Sequence, residues 1–129
     1  MFKDTPAYSG FAVDDIGRAR EFYGDTLGIE TSVLDEDNGL LQLQISGDRP
    51  TLVYLKPDFQ PATYTILNFP VEDVDATVDA LTGRGVEFER YDGFDQDEKG
   101  IARTPGGTVP DLAWFTDPAG NILAVLQVA

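Results

Sequence analysis

The feature that most constrains the fold of this chain is an internal repeat, offset by 58 residues from Phe11 to Phe69. Residues 11–16 read FAVDDI and residues 69–74 read FPVEDV, so the apolar and acidic positions coincide. Each block leads into apolar residues at helical spacing, and each helical stretch is followed by a glycine, Gly28 or Gly85, where a helix commonly ends. The repeat therefore predicts two similar halves.

Short strands are predicted after each helix, because turn residues separate brief apolar runs. They are residues 29–34, 40–45 and 51–56 in the first half, and 86–91, 111–115 and 122–127 in the second, whose opening strand is 64–69. Each half therefore has a strand, a helix and three further strands. We predict an α+β fold in a single domain, 1–129, with βαβββ modules at 1–56 and 63–129 joined by a linker that contains two prolines.

Alternation along the strands predicts which side chains share a face. Phe11 and Val13 are expected to pack under the first helix, and residues 67, 69 and 71 under the second. The opposite faces carry no helix, so they are expected to line a trough that holds a planar or amphipathic organic ligand. The polar or aromatic candidates for that trough are Tyr8, Gln42, Gln44, Tyr64, Asn68 and Trp114. Alternation does not decide which face Gln42, Gln44 or Trp114 occupies. For the aromatic residues, above all Trp114, core packing is the alternative.

Composition excludes several classes of function. Histidine and cysteine are both absent, which rules out thiolate nucleophiles, disulfides, cysteine zinc sites and histidine-based catalytic triads. A formal net charge of -14 argues against nucleic acid and anionic membranes as partners. It is compatible with a cationic or neutral small molecule, or with a well-solvated, salt-adapted surface. Because no apolar run could cross a bilayer and the first residues lack a secretory signal, a cytoplasmic protein is expected.

Three motifs in this order give the chain a family resemblance. They are VDD at 13–15 with EFY at 21–23 and LG at 27–28, then VEDVDA at 71–76 with Leu81 and GV at 85–86, then WFTDPAGN at 114–121. With them the chain resembles the vicinal oxygen chelate superfamily, also called the glyoxalase/bleomycin resistance/dioxygenase group. The resemblance implies tandem βαβββ modules that form a curved mixed sheet, the glyoxalase/bleomycin resistance/dihydroxybiphenyl dioxygenase-like fold. It also implies a homodimer.

The same resemblance indicates where metal ligands would stand. In metal-using members they come from the first and last strands of each module, and those places fall on Tyr8, on Ile66, near Val53 within a residue or two, and on Ala124. Hydrocarbon side chains and one phenol offer no set of oxygen or nitrogen ligands for zinc, nickel, iron or manganese. The resemblance therefore implies a member of the superfamily without a metal or other cofactor.

Three functions are weighed for these residues. The first is binding of a small hydrophobic or cationic compound, such as sequestration of a drug or antibiotic. The alternatives are a metal-free lyase or isomerase that uses Tyr8 or a buried glutamate as its base, and a scaffold module with a vestigial trough. Whether the protein is an enzyme stays open, with binding favoured.

The irregular segment 92–107 is interpreted as a flap over the trough or as a plain loop. Its acidic residues suit an exposed loop better than a calcium site.

Overall fold

A computed structural model describes residues 1–45, 49–103, 106 and 109–128. The chain divides into two units, Met1–Pro61 and Ala62–Ala129, and each unit contains its own mixed β-sheet. Within the described part of the chain, no helix has the length and apolar character that crossing a bilayer requires.

The first unit has the predicted order of a strand, a helix and three strands. Its strands are β1 (Gly10–Val13), β2 (Glu30–Asp35), β3 (Leu40–Gln44) and β4 (Thr51–Leu55), and helix α1 (Ile16–Arg20) follows β1. The order across the sheet is β1-β4-β3-β2, in which β1 and β4 are parallel and the other pairs are antiparallel. The last strand of the unit therefore lies beside its first strand.

Asp15 caps the N-terminus of helix α1, because its side chain accepts a hydrogen bond from the Arg18 amide at 3.1 Å. It continues into a π-helical turn, Glu21–Thr26, in which the Leu27 amide donates to the Phe22 carbonyl at 2.9 Å, five residues back. The sequence predicted an ordinary helix here, because a single wide turn leaves the apolar spacing almost unchanged. Tyr23 in this turn is fully buried.

The register of the first sheet separates its two faces. Phe11, Val53 and Leu41 are cross-strand neighbours in one row, and Val53 and Leu41 are fully buried. The ring of Phe11 lies 5.6 Å from the ring of Tyr23, which places this row on the side of α1. The neighbouring row points to the opposite side, because successive side chains alternate. We call that opposite side the free face of the first unit.

The second unit repeats this arrangement with three strands. They are β5 (Thr65–Val71), β6 (Leu112–Thr116) and β7 (Ile122–Gln127), and helix α2 (Val74–Gly83) follows β5. The order is β5-β7-β6, with β5 and β7 parallel. Asp73 caps the N-terminus of helix α2, because its side chain accepts a hydrogen bond from the Ala76 amide at 3.0 Å. The buried residues of the helix are Val74, Val78 and Leu81.

The prediction of a strand at residues 86–91 is wrong. In this stretch Phe88 forms an isolated bridge with Phe115, and the Glu89 amide donates to the Trp114 carbonyl at 2.7 Å. The chain then leaves the sheet because the Gln96 side chain replaces a strand partner: it accepts from the Tyr91 amide and donates to the Glu89 carbonyl, both at 2.9 Å. Side-chain hydrogen bonds of this kind compete with a regular ladder.

Candidate functional site

The free face of the first unit carries two of the predicted site residues. Gln42 lies in a row with Gly10 and Leu52, and Gln44 lies two residues further along β3 on the same side. The Gln42 amide nitrogen donates to the Gln44 side-chain oxygen at 3.4 Å. Two neighbouring amides offer both donors and acceptors, which suits them to orient a polar group of a ligand.

Sequence reasoning missed Tyr54 on this face. Tyr54 pairs with Ala12 on one side and Leu40 on the other, and 41% of its surface is exposed. The signal that could have found it is alternation in β4, where buried Val53 is followed by an outward residue. The structure thus adds one exposed phenol to the two amides.

Tyr8 and Tyr64 lie outside the strands. They precede β1 and β5 respectively, and both are exposed, at 63% and 69%. The sequence pattern had extended each strand to include them. Strand β5 instead has an irregularity in its register between Thr65 and Leu67, and Ile66 has no cross-strand partner there.

In the second unit, the face equivalent to the free face of the first unit contains a row of three residues. Asn68, Ala124 and Trp114 are direct cross-strand neighbours on β5, β7 and β6. Asn68 is exposed, whereas Ala124 is fully buried and Trp114 is 9% exposed. Trp114 and Ala124 form a cluster with Ala102. The structure therefore brings the predicted Asn68 and Trp114 together on one face, with the indole largely packed, as the alternative reading of the sequence allowed.

Two further aromatic rings cover Trp114. The ring of Tyr91 lies 5.3 Å from that of Trp114 at an interplanar angle of 70°. The ring of Phe94 lies 4.8 Å away at 63°. Edge-to-face pairs of this kind stabilise by about 0.5–1.5 kcal/mol beyond their burial. Sequence reasoning missed both rings as site residues, because it placed Tyr91 in a strand, 86–91, that does not form, and Phe94 in the irregular segment 92–107, where no periodicity assigns a face.

Glu89 brings a negative charge to the same face. Its side-chain oxygen accepts a hydrogen bond from the Thr116 hydroxyl at 3.4 Å. Burial, together with the nearby charge of Glu89, raises the pKa of Tyr91. None of the glutamates among the described residues is fully buried, and Glu89 is the partly buried one. The buried glutamate of the enzyme hypothesis is therefore not found there, and Glu89 is the nearest candidate.

Basic residues attach the segment after Tyr91 to helix α2. The Arg103 guanidinium contacts Asp75 at 2.8 Å, Asp111 at 2.8 Å and Asp97 at 3.2 Å, and Lys99 contacts Asp79 at 3.0 Å. Burial tends to raise the pKa of Asp97, but hydrogen bonds from the Ile101 and Lys99 amides and from Arg103 outweigh it and lower that pKa.

The segment predicted as a flap or loop, 92–107, is described except for residues 104, 105 and 107, which lie outside the described residues. Over the described ranges, no three acidic side chains are grouped so that they could hold a metal ion. Asp97 in this segment instead accepts hydrogen bonds from two backbone amides and from Arg103.

The four places that the family resemblance assigns to metal ligands do not provide a ligand set for a metal here. Pairing sets Gly10 opposite Leu52 in the first unit and Asn68 opposite Ala124 in the second. Because Gly10 and Asn68 are equivalent in the repeat, the place equivalent to Ala124 is Leu52, one residue before the expected Val53, which faces α1. With Tyr8 and Ile66 at the other two places, these side chains provide a single phenol oxygen and no second donor.

Comparisons with known proteins identify the family. A model of the glyoxalase/bleomycin resistance protein/dioxygenase superfamily matches residues 6–125. The chain belongs to this superfamily. The predicted α+β fold is confirmed, since the two mixed sheets with few helices match solved members.

Similar solved structures include a superfamily member from Sphaerobacter thermophilus, 23% identical, with a TM-score of 0.69 and 95% and 97% of the two chains covered. TnmS3, an antibiotic binding protein from Streptomyces sp. CB03234, is 27% identical, with a TM-score of 0.67 and coverage of 95% and 96%. The fosfomycin resistance protein FosX from Listeria monocytogenes is 14% identical, with a TM-score of 0.71 and coverage of 95% and 92%. No curated protein matches the sequence significantly.

Proposed function

We propose that this protein binds a small hydrophobic or cationic organic compound, such as a drug or antibiotic, without a metal. The observation that carries the proposal is the row Asn68, Ala124 and Trp114. At a place that the family resemblance assigns to a metal ligand, this chain has a buried methyl group between an exposed amide and an indole that other rings largely cover. Such a surface recognises planar organic groups through contact area and one directed hydrogen bond.

The similarity to TnmS3 supports the same proposal. At 27% identity over 95% of this chain, that relative is described as binding an antibiotic. Each unit has its own proposed ligand-binding residues: Tyr8, Gln42 and Gln44 in the first, and Tyr64, Asn68 and Trp114 in the second. A cytoplasmic location and a homodimer, both expected from the sequence, belong to this proposal, and analytical ultracentrifugation tests the dimer.

Charge favours a cationic ligand over an anionic one. The chain carries a formal net charge of -14, and Glu89 places a carboxylate beside the aromatic rings of the second unit. A negative field of this kind raises the local concentration of cations and repels phosphates and other anions. A cation near aromatic rings also gains from their quadrupoles.

A thermal-shift panel on EDTA-treated protein tests the proposal. We expect a planar aromatic cation such as proflavine to raise the melting temperature, because a ligand that binds only the folded state stabilises it. Asn68→Ala should weaken binding by about fivefold, the effect of losing one hydrogen bond. Gln60→Ala, which removes an exposed amide from the linker, is the matched control. Binding that needs added zinc or nickel would contradict the metal-free proposal.

The alternative of a metal-free lyase or isomerase is favoured by one observation, the position of Glu89 beside Thr116 and Tyr91. A partly buried carboxylate on the ligand face can accept a proton from a bound substrate. Mass spectrometry of bound compounds after long incubation separates the two functions. Turnover that is lost in Glu89→Gln and kept in Glu87→Gln, an exposed neighbour, supports the enzyme. Recovery of every ligand unchanged supports the binding protein.

A further inference from the structure

The segment after Tyr91 consists of two parts with different attachments. From Gln96 to Arg103 it is held by side chains: Gln96 makes three hydrogen bonds, to Tyr91, Glu89 and Gly100, and Arg103 makes its ion pairs. The preceding four residues, 92–95, are all exposed. Among the described residues, this stretch has one backbone hydrogen bond, from the Arg103 amide to the Asp95 carbonyl at 3.4 Å. We call residues 92–95 the tip.

The tip holds a large apolar side chain against the ligand face. Phe94 is 56% exposed, although its ring lies 4.8 Å from that of Trp114. Gly93, directly before it, has a φ of 89°, a backbone conformation that few other residues adopt. A largely solvated phenyl ring on a short, weakly bonded tip is thus held mainly by its contact with one indole.

We propose that Phe94 acts as an internal substitute for the ligand, covering Trp114 until an aromatic ring of the ligand displaces it. The inference rests on the proposed function, and it adds that the ligand must carry a planar aromatic group able to replace a phenyl ring. An aromatic pair of ordinary strength favours the covered state by about three- to tenfold. Because only the open fraction binds, the cover weakens the apparent affinity by the same factor.

The first experiment needs no ligand, because Trp114 is the sole tryptophan of the chain. Acrylamide quenching of its fluorescence reports how accessible the indole is. We expect Phe94→Ala to raise the Stern–Volmer constant by about twofold or more, and Phe94→Leu to raise it less. Phe2→Ala, which removes another exposed phenyl ring, should leave it unchanged. An unchanged constant in Phe94→Ala, with native circular dichroism, would overturn the cover.

The second experiment measures displacement with proflavine, followed by its visible fluorescence anisotropy. We expect Phe94→Ala to bind proflavine about three- to tenfold more tightly than the wild type, and Phe2→Ala to bind it as the wild type does. Equal or weaker binding by Phe94→Ala would show that Phe94 does not compete with the ligand. If neither protein binds proflavine, the displacement step is wrong for planar cations and the proposed function fails. The quenching result still decides separately whether Phe94 covers Trp114.

Discussion

Replacing Ala124 with glutamate tests whether this sheet face can hold a metal. Ala124 is fully buried, lies between Asn68 and Trp114, and packs in a cluster with Trp114 and Ala102. A longer side chain must push into filled space, which costs about 1–3 kcal/mol. The carboxylate is also removed from water without a cation to pair with it, which raises its pKa.

The cost of the buried charge has an upper limit. The group can always take up a proton, and protonating a glutamate of ordinary pKa costs about 3.7 kcal/mol at pH 7 and about 1 kcal/mol at pH 5. Ala124→Glu should therefore lower the free energy of unfolding by about 3–6 kcal/mol at neutral pH. Because the folded-state pKa is raised, the loss is smallest at low pH and grows as the pH rises through the unfolded value.

Urea unfolding followed by far-UV circular dichroism measures this effect. Ala124→Gln is the matched control, since it has nearly the same volume and no charge. The two variants should agree near pH 5 to within about 1 kcal/mol and diverge by up to about 3–4 kcal/mol near pH 7. Added Zn²⁺ should not restore Ala124→Glu, because a metal stabilises only a folded state that provides several donors. A zinc-dependent recovery specific to Ala124→Glu would refute the assignment of this face as unable to bind metal.

Three further predictions concern the contacts that position this face. Asp117→Ala should lower the free energy of unfolding in urea by about 3 kcal/mol, and Asp117→Asn should lower it less. The reason is that the buried carboxylate accepts hydrogen bonds from the Ala119 and Asn121 amides at 3.0 and 2.8 Å. Equal losses in the two variants would contradict this. The pKa of Asp97 is lowered in the folded protein, so its ionised carboxylate stabilises the fold above about pH 4, and this stabilisation is lost as the pH falls further. Acid should therefore lower the melting temperature more in the wild type than in Asp97→Asn. Arg103→Gln should lower the free energy of unfolding by about 1 kcal/mol or less in dilute buffer, since the partners of Arg103 are partly exposed. The loss should shrink in about 1 M NaCl, which screens the ion pairs. A loss independent of salt would show that packing, not charge, is responsible.

Much of the fold could be predicted because it depends on periodicity and duplication. The helix predicted after the second repeat block is Val74–Gly83, and the last predicted strand, 122–127, is Ile122–Gln127. Both rely on apolar spacing that a single sequence displays directly. The strand 86–91 could not be corrected from the sequence, because one side chain, Gln96, satisfies backbone groups that a strand would otherwise pair.

The candidate site was predictable only where residues sit on regular strands. Alternation placed Asn68 on the face away from helix α2, but it left the faces of Gln42, Gln44 and Trp114 undecided, and the register of the strands is needed to place them. Tyr91 and Phe94 reach Trp114 through a segment held by individual hydrogen bonds and ion pairs. No pattern of apolar spacing reports such contacts, so the rings that cover the indole are visible only in three dimensions.

The small side chain at 124 and the large one at 114 depend on each other. The two residues are directly paired on adjacent antiparallel strands, where side chains on one face lie about 4.5–5.5 Å apart at Cβ. A carboxylate-bearing side chain on β7 and an indole on β6 would compete for the same volume, whereas a methyl group leaves room for the indole to lie over the sheet and pack with Ala102. The methyl group at 124 and the indole at 114 are therefore two parts of one steric arrangement. Introducing a metal ligand at Ala124 should therefore require a smaller residue at Trp114 in the same variant.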